Sequence, residues 1–164
     1  SDAHMGDSYQ WGYHFRGYRI IRACLRHLEQ QGLKSGDTLI FGGWSAGGRG
    51  AMAHLDHVHE VVPEGVKIFG MLDSPLYLEF NGFDHFAWET KEATKYYVSQ
   101  SLTQPCADRW GDSDRWKCAF GQYRVPILQT PFFILASQCD SYQTSGLANT
   151  NDMAKMSTFM KKTR

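Results

Sequence analysis

The sequence has no excess of charge of either sign: seventeen lysines and arginines balance seventeen aspartates and glutamates over 164 residues. Nor does it carry a basic stripe, so it lacks the summed positive field that gathers phosphate backbones or anionic lipid. Nucleic acid is therefore not an expected partner. The short run Lys161-Lys162-Thr163-Arg164 reads as a solvated tail. No apolar stretch approaches the roughly 20 residues that cross a bilayer, so no membrane span is expected. A charged-then-apolar leader is also missing. That absence carries little weight, because the chain opens Ser1-Asp2-Ala3-His4-Met5, either an expression scar or the interior of a longer protein. The four cysteines, Cys24, Cys106, Cys118 and Cys139, show no Cys-x-x-Cys and no downstream histidine pair, so no zinc pattern is present.

What is present describes a folded chain. Hydrophobic residues make up 42% and aromatic residues 14%, enough for a core and too apolar for disorder. The length suits one domain. From Tyr18 to Gln31 the apolar residues Tyr18, Ile21, Leu25 and Leu28 recur at the helical period, with Cys24 beside them as an expected core residue and Gly32 as the C-cap. Thr38 to Phe41 reads as a buried strand, Ala46 to about Val58 as a helix, and Val66 to Leu72 as a second buried strand ending at Asp73. A less regular section from Leu76 to Trp88 precedes a helical pattern from about Thr90 to Leu102. Phe132 to Ala136 is a third apolar strand, and Asn151 to Lys161 forms a final helix. Helices alternating with strands that are apolar on both faces predict a mostly parallel sheet with helices on both faces. Cys106 and Cys118 flank a polar loop bearing tryptophan, which suits a disulfide contributing roughly 3 kcal/mol; two unrelated buried thiols are the alternative.

The chemistry concentrates between the first two strands. Gly43-Trp44-Ser45-Ala46-Gly47 matches Gly-x-Ser-x-Gly, the strand-to-helix elbow that presents a nucleophilic serine. Small residues two positions either side let strand and helix approach, and Gly48 and Gly50 extend that small face. The amide of Ala46, at the helix start, is placed to donate to a developing oxyanion. A Gly-Lys-Ser/Thr after the glycines is missing, so the loop is not a phosphate-binding loop.

A nucleophilic serine needs a base, and the base an orienting acid. Asp140 follows the third strand at its carboxyl end and is the expected acid. Asp73 is the runner-up, though capping the Ser74-Pro75 turn suits it better. The histidine is the difficulty. His4, His14, His27, His54, His57, His59 and His85 all precede Asp140. His54, His57 and His59 share one predicted helix, where a solvated face explains them better than metal ligation. The simplest account places the catalytic histidine beyond this chain.

These residues carry a resemblance to the pectin acetylesterase and Notum family of serine carboxylesterases. Phe15 to Ile21 and the helix to Leu28 resemble the helix that leads into the family's nucleophile strand, and Trp44 to Gly48 its Ser-Ala-Gly-Gly elbow. His54-Leu55-Asp56, Asp73 to Leu78, the loop from Cys106 to Phe120, and Pro131 to Leu135 running into Asp140-Ser141-Tyr142-Gln143 are similar to later family segments. The resemblance implies an α/β-hydrolase-like fold, incomplete in this chain: residues 1–164 form a single partial domain, with the upstream oxyanion loop and the histidine segment outside it.

It further implies a triad of Ser45, Asp140 and a missing histidine, with Ala46 in the oxyanion hole, a Cys106–Cys118 disulfide, and no metal or organic cofactor. Trp44 stands where the family has a small residue, which makes it the candidate substrate-binding residue. The implied activity is carboxylic-ester hydrolysis through an acyl-serine, on an O-acetylated polysaccharide such as pectin. The alternatives are a Notum-like esterase removing a fatty acyl group from a protein, and a non-catalytic binding protein that keeps the hydrolase fold. The family and the disulfide imply secretion, and the chain by itself is expected to lack turnover.

Overall fold

The structure, a computed structural model, describes residues 8–10, 13–79, 91, 105–147, 157 and 161. A short antiparallel hairpin, β1 (Ser8–Gln10) and β2 (Tyr13–Phe15), leads into α1 (Gly17–Gln30). Leu25 is the buried residue of α1, packing with Val58 and Val62, while Ile21 lies half-buried against the same cluster. The helix stops where the periodicity predicts: Gly32 takes a φ of +106°, and the amide of Leu33 returns to the carbonyl of Leu28 at 2.9 Å. Cys24 is a correction. It lies exposed, a free thiol on the flank of α1, because the buried stripe runs through Ile21 and Leu25.

β3 (Thr38–Trp44) extends three residues past the apolar run, through both glycines. After it comes α2 (Ala46–His54), whose last turn tightens into a 3₁₀ segment over Leu55–Glu60. β4 (Lys67–Asp73) pairs in parallel with β3, placing Gly43 beside Leu72 and Trp44 beside Asp73. The disulfide-bracketed segment holds α3 (Cys106–Trp110), a 3₁₀ stretch over Asp112–Ala119 and α4 (Gly121–Arg124). β5 (Phe132–Leu135) completes a parallel sheet of order β3-β4-β5. The helical pattern expected from Thr90 to Leu102 and the final helix from Asn151 lie outside the described residues, apart from isolated positions.

One face of this sheet is packed. Ala51, Met52 and Leu55 of the α2 region meet Leu72, with Phe41, Ile68, Phe132 and Ile134 around them. The other face, reached by the alternate residues Ile40, Trp44, Phe69, Met71, Phe133 and Leu135, is exposed in this chain. Among the described residues, then, the packed cluster lies on a single face. Ile40 remains 69% accessible and Phe133 60%, values suited to residues that another layer covers.

The disulfide joins Cys106 to Cys118, whose Cα atoms are 5.9 Å apart. Buried Arg124 anchors this region by donating from Nε to the carbonyl of Cys118 at 3.1 Å and from Nη1 to that of Ala53 at 3.4 Å. The bridged segment is thereby tied to the end of α2.

Candidate active site

Ser45 stands at the junction of β3 and α2 with φ 53° and ψ −119°, a conformation that costs a side-chain-bearing residue about 1–3 kcal/mol. Such strain persists only where the surroundings over-determine it. Here they do. The amide of Ser45 donates to the carbonyl of Asp73 at 2.9 Å, and its own carbonyl accepts from Arg49 at 3.0 Å.

Backbone packs on backbone around it. A Cβ on Gly43 would come within 2.4 Å of the carbonyl oxygen of Gly47, and one on Gly48 within 2.6 Å of that of Asp73. This corrects the expectation for Gly47 and Gly50. Cβ atoms there would meet nothing within 4 Å. The residue that needs to be small on the helix side is Gly48, because it faces the end of β4. Ala46 opens α2, where backbone amides have no intrahelical carbonyl to bond.

Ser45 and Asp140 line one cavity of about 190 Å³ at the carboxyl ends of the strands. Trp44, Ser74, Leu76 and Tyr77 contribute from the β3 and β4 sides, and Ala136, Ser137, Tyr142 and Gln143 from the segment after β5. Trp44 sits at its rim, 72% exposed. Among the described residues lining it there is no histidine. Four of the five described histidines serve elsewhere: His54 stacks on Tyr18, His57 meets Glu60 at 2.6 Å, and His27 and His14 bond to Gln30 and Arg16. Among the described residues no three potential ligands gather around a metal position.

His54 departs from the solvated helix face expected for the histidine trio. It is buried, and desolvation, with smaller repulsion from Arg124 and His57, pulls its pKa down to about 4.

Asp73 carries a turn. Its carboxylate accepts from the Ser74 hydroxyl at 2.8 Å, while the Ser74 amide reaches the carbonyl of Leu135 at 2.7 Å. Ser74 has a φ of 52°, the second non-glycine residue with positive φ among the described residues. The ends of β3, β4 and β5 are thus sewn together by two strained serines, both on the cavity wall.

Asp140 is held in turn by the residues just after it. Its Oδ1 accepts from the amides of Tyr142 at 2.9 Å and Gln143 at 3.4 Å, and its Oδ2 from the Gln143 side chain at 2.7 Å. These bonds open a π-helical stretch, Tyr142–Leu147, of a kind frequent at functional sites. Behind the cavity-lining Tyr77, the Arg49 guanidinium lies 4.2 Å from the centre of the ring. Burial pushes the Arg49 pKa down, an effect opposed by Tyr77.

The family model for pectinacetylesterase matches residues 1–163. The chain belongs to that family. Among curated relatives of this pectinacetylesterase chain, it is 28% identical over 145 residues to the palmitoleoyl-protein carboxylesterase notum1 of Xenopus laevis, covering 80% of this chain and 30% of that one. To pectin acetylesterase 7 of Arabidopsis thaliana it is 27% identical over 133 residues, covering 79% and 33%. The solved structure of the Wnt deacylase Notum from Drosophila superposes with a TM-score of 0.79 at 22% identity, over 99% of this chain and 50% of that one. The chain accordingly forms part of an α/β-hydrolase-like fold, as the family resemblance implied. The chain spans about a third of the length of the curated relatives it matches.

Sequence pattern singles out Ser45, Ala46 and Asp140, and the family resemblance Trp44, but neither assigns a role to Ser74, Tyr77 or Gln143. For Gln143 one signal was available: it lies three residues after the acid, the spacing at which a side chain reaches back across a helical turn.

Proposed function

We propose that the protein is a serine carboxylic-ester hydrolase that deacetylates an O-acetylated polysaccharide such as pectin. The observation that supports this reading is the strained Ser45 sharing a cavity with a hydrogen-bonded Asp140. In this reading the Ser45 hydroxyl attacks the ester carbonyl while an imidazole, held by a segment outside this chain, takes its proton. Asp140 orients that imidazole, and the amide of Ala46 donates to the oxyanion. The alcohol leaves with the transferred proton, and water then frees the acid from the acyl-serine.

The family match and the bulk of Trp44 beside the nucleophile favour a short acyl group. A second reading, removal of a fatty acyl group from a protein, is favoured by the relatives named palmitoleoyl-protein carboxylesterases. The disulfide supports a secreted protein. The isolated 164-residue chain has no turnover on this account, since none of the described residues lining its cavity is a histidine.

The deciding experiment gives the full-length protein acetylated pectin and, separately, a palmitoleoylated peptide. Acetate release alone supports the polysaccharide reading, and fatty acid release alone transfers the assignment to the second. Release of neither, with the polysaccharide still bound, leaves a non-catalytic binding protein.

A further inference from the structure

Gln143 is 3% accessible, and both polar atoms of its amide are hydrogen-bonded. Nε2 donates to Oδ2 of Asp140 at 2.7 Å and to the carbonyl of Leu76 at 2.6 Å, while Oε1 accepts from the amide of Leu78 at 2.9 Å. Rotating the amide by half a turn would set its oxygen against a carboxylate and a carbonyl, and its NH₂ against an N–H. The orientation is therefore forced. Glutamate has the same length and could still receive the Leu78 amide, but it would supply no donor and would place a second negative charge against Asp140. Few neutral side chains offer two donors and an acceptor in one plane at this reach.

The consequence falls on Asp140. Its Oδ1 is occupied by the Tyr142 and Gln143 amides, whereas Oδ2 receives the side-chain donor of Gln143 and keeps a second lone pair. Leu76 and Tyr77, in the loop that Gln143 grips, form the facing wall of the cavity. One buried amide thus fixes both the rotation of the carboxylate and its distance from the loop after β4.

We propose that Gln143 is a positioning residue for the hydrolysis: it locks the Asp140 carboxylate so that the free lone pair of Oδ2 meets the incoming imidazole. This rests on the esterase reading above, and the test separates the two.

The full-length protein and its Gln143→Met and Gln143→Glu variants are treated with a fluorophosphonate, with both the rate of labelling and the final fraction labelled recorded. Thr144→Val serves as a control, since the Thr144 hydroxyl bonds only the backbone carbonyl of Asp140, at 2.8 Å. Because the rate is read from the molecules that do label, partial misfolding lowers the fraction and not the rate.

Both Gln143 variants should label at least about tenfold more slowly, and kcat for a short acyl ester should fall by the same factor at little-changed KM. Thr144→Val should label at the native rate even where its melting temperature drops. Gln143 variants that lose stability and labelled fraction, yet react at the native rate, overturn the inference and leave the esterase reading standing. A native protein that takes no label at Ser45 overturns both.

Discussion

The amide of Ser45 donates to the carbonyl oxygen of Asp73 across 2.9 Å, and Gly48 packs over that same carbonyl. The elbow is thus clamped to the end of the neighbouring strand by one hydrogen bond and one contact that leaves no room for a methyl group. A strained serine and a close helix are two results of a single packing arrangement.

Substituting the two glycines after Ala46 should therefore give opposite results. Gly48→Ala forces its Cβ to within 2.6 Å of the Asp73 carbonyl oxygen and should cost about 1–3 kcal/mol. Gly47→Ala meets nothing within 4 Å and lies inside α2, so helix propensity should make it neutral or stabilising by up to about 1 kcal/mol. Urea midpoints of the two variants check the contrast, and equal losses would remove the packing explanation.

His54 sets the expected dependence of stability on pH. Its folded-state pKa, about 4, lies below the 6.5 of the unfolded chain, so the unfolded state binds the proton first as pH falls. The contribution is complete above pH 6.5 and declines through that value, amounting to a loss of about 2 kcal/mol by pH 5. Unfolding free energies of native protein and His54→Phe at pH 7 and pH 5 test this. The variant should lose markedly less over that interval, and an unchanged slope would contradict the assignment.

How much of the molecule was legible in the sequence depended on whether a residue's role is local. Gly43, Ser45 and Ala46 declare the elbow because a strand, a tight turn and a helix succeed one another within ten residues. The three strands of the sheet were legible for the same reason, as apolar runs bounded by turns. The exposure of Cys24 is not legible, because a residue on the edge of an amphipathic stripe is decided by the partner surface, which periodicity does not specify. Which glycine had to be small was equally hidden: Gly48 is constrained by Asp73, twenty-five positions along the chain. Gln143 grips a loop more than sixty residues earlier, a pairing that only the folded chain displays.

The Cys106–Cys118 bridge closes a short loop with a sequence separation of 12. Replacing both cysteines by alanine should cost roughly 3 kcal/mol and loosen the Arg124 anchor at the end of α2. Thermal unfolding with and without reductant measures it; the double variant should match the reduced native protein. A variant as stable as the oxidised protein would show the bridge to be dispensable.

Trp44 should govern acyl length, since its indole stands at the cavity rim beside the nucleophile. Trp44→Ala in the full-length protein should shift preference toward longer acyl esters, by a factor of about 10–200 in relative kcat/KM. The check is a series of esters from acetyl to octanoyl, and an unchanged order of preference would exclude Trp44 from acyl selection.

The central claim is that the Ser45 hydroxyl is the attacking group. Mass spectrometry of the full-length protein after fluorophosphonate treatment tests it most directly. The account predicts one phosphonyl adduct, on the peptide that contains Ser45, and a loss of ester hydrolysis of at least about a thousandfold in Ser45→Ala. An adduct on a different residue, or hydrolysis that survives in Ser45→Ala, would contradict it.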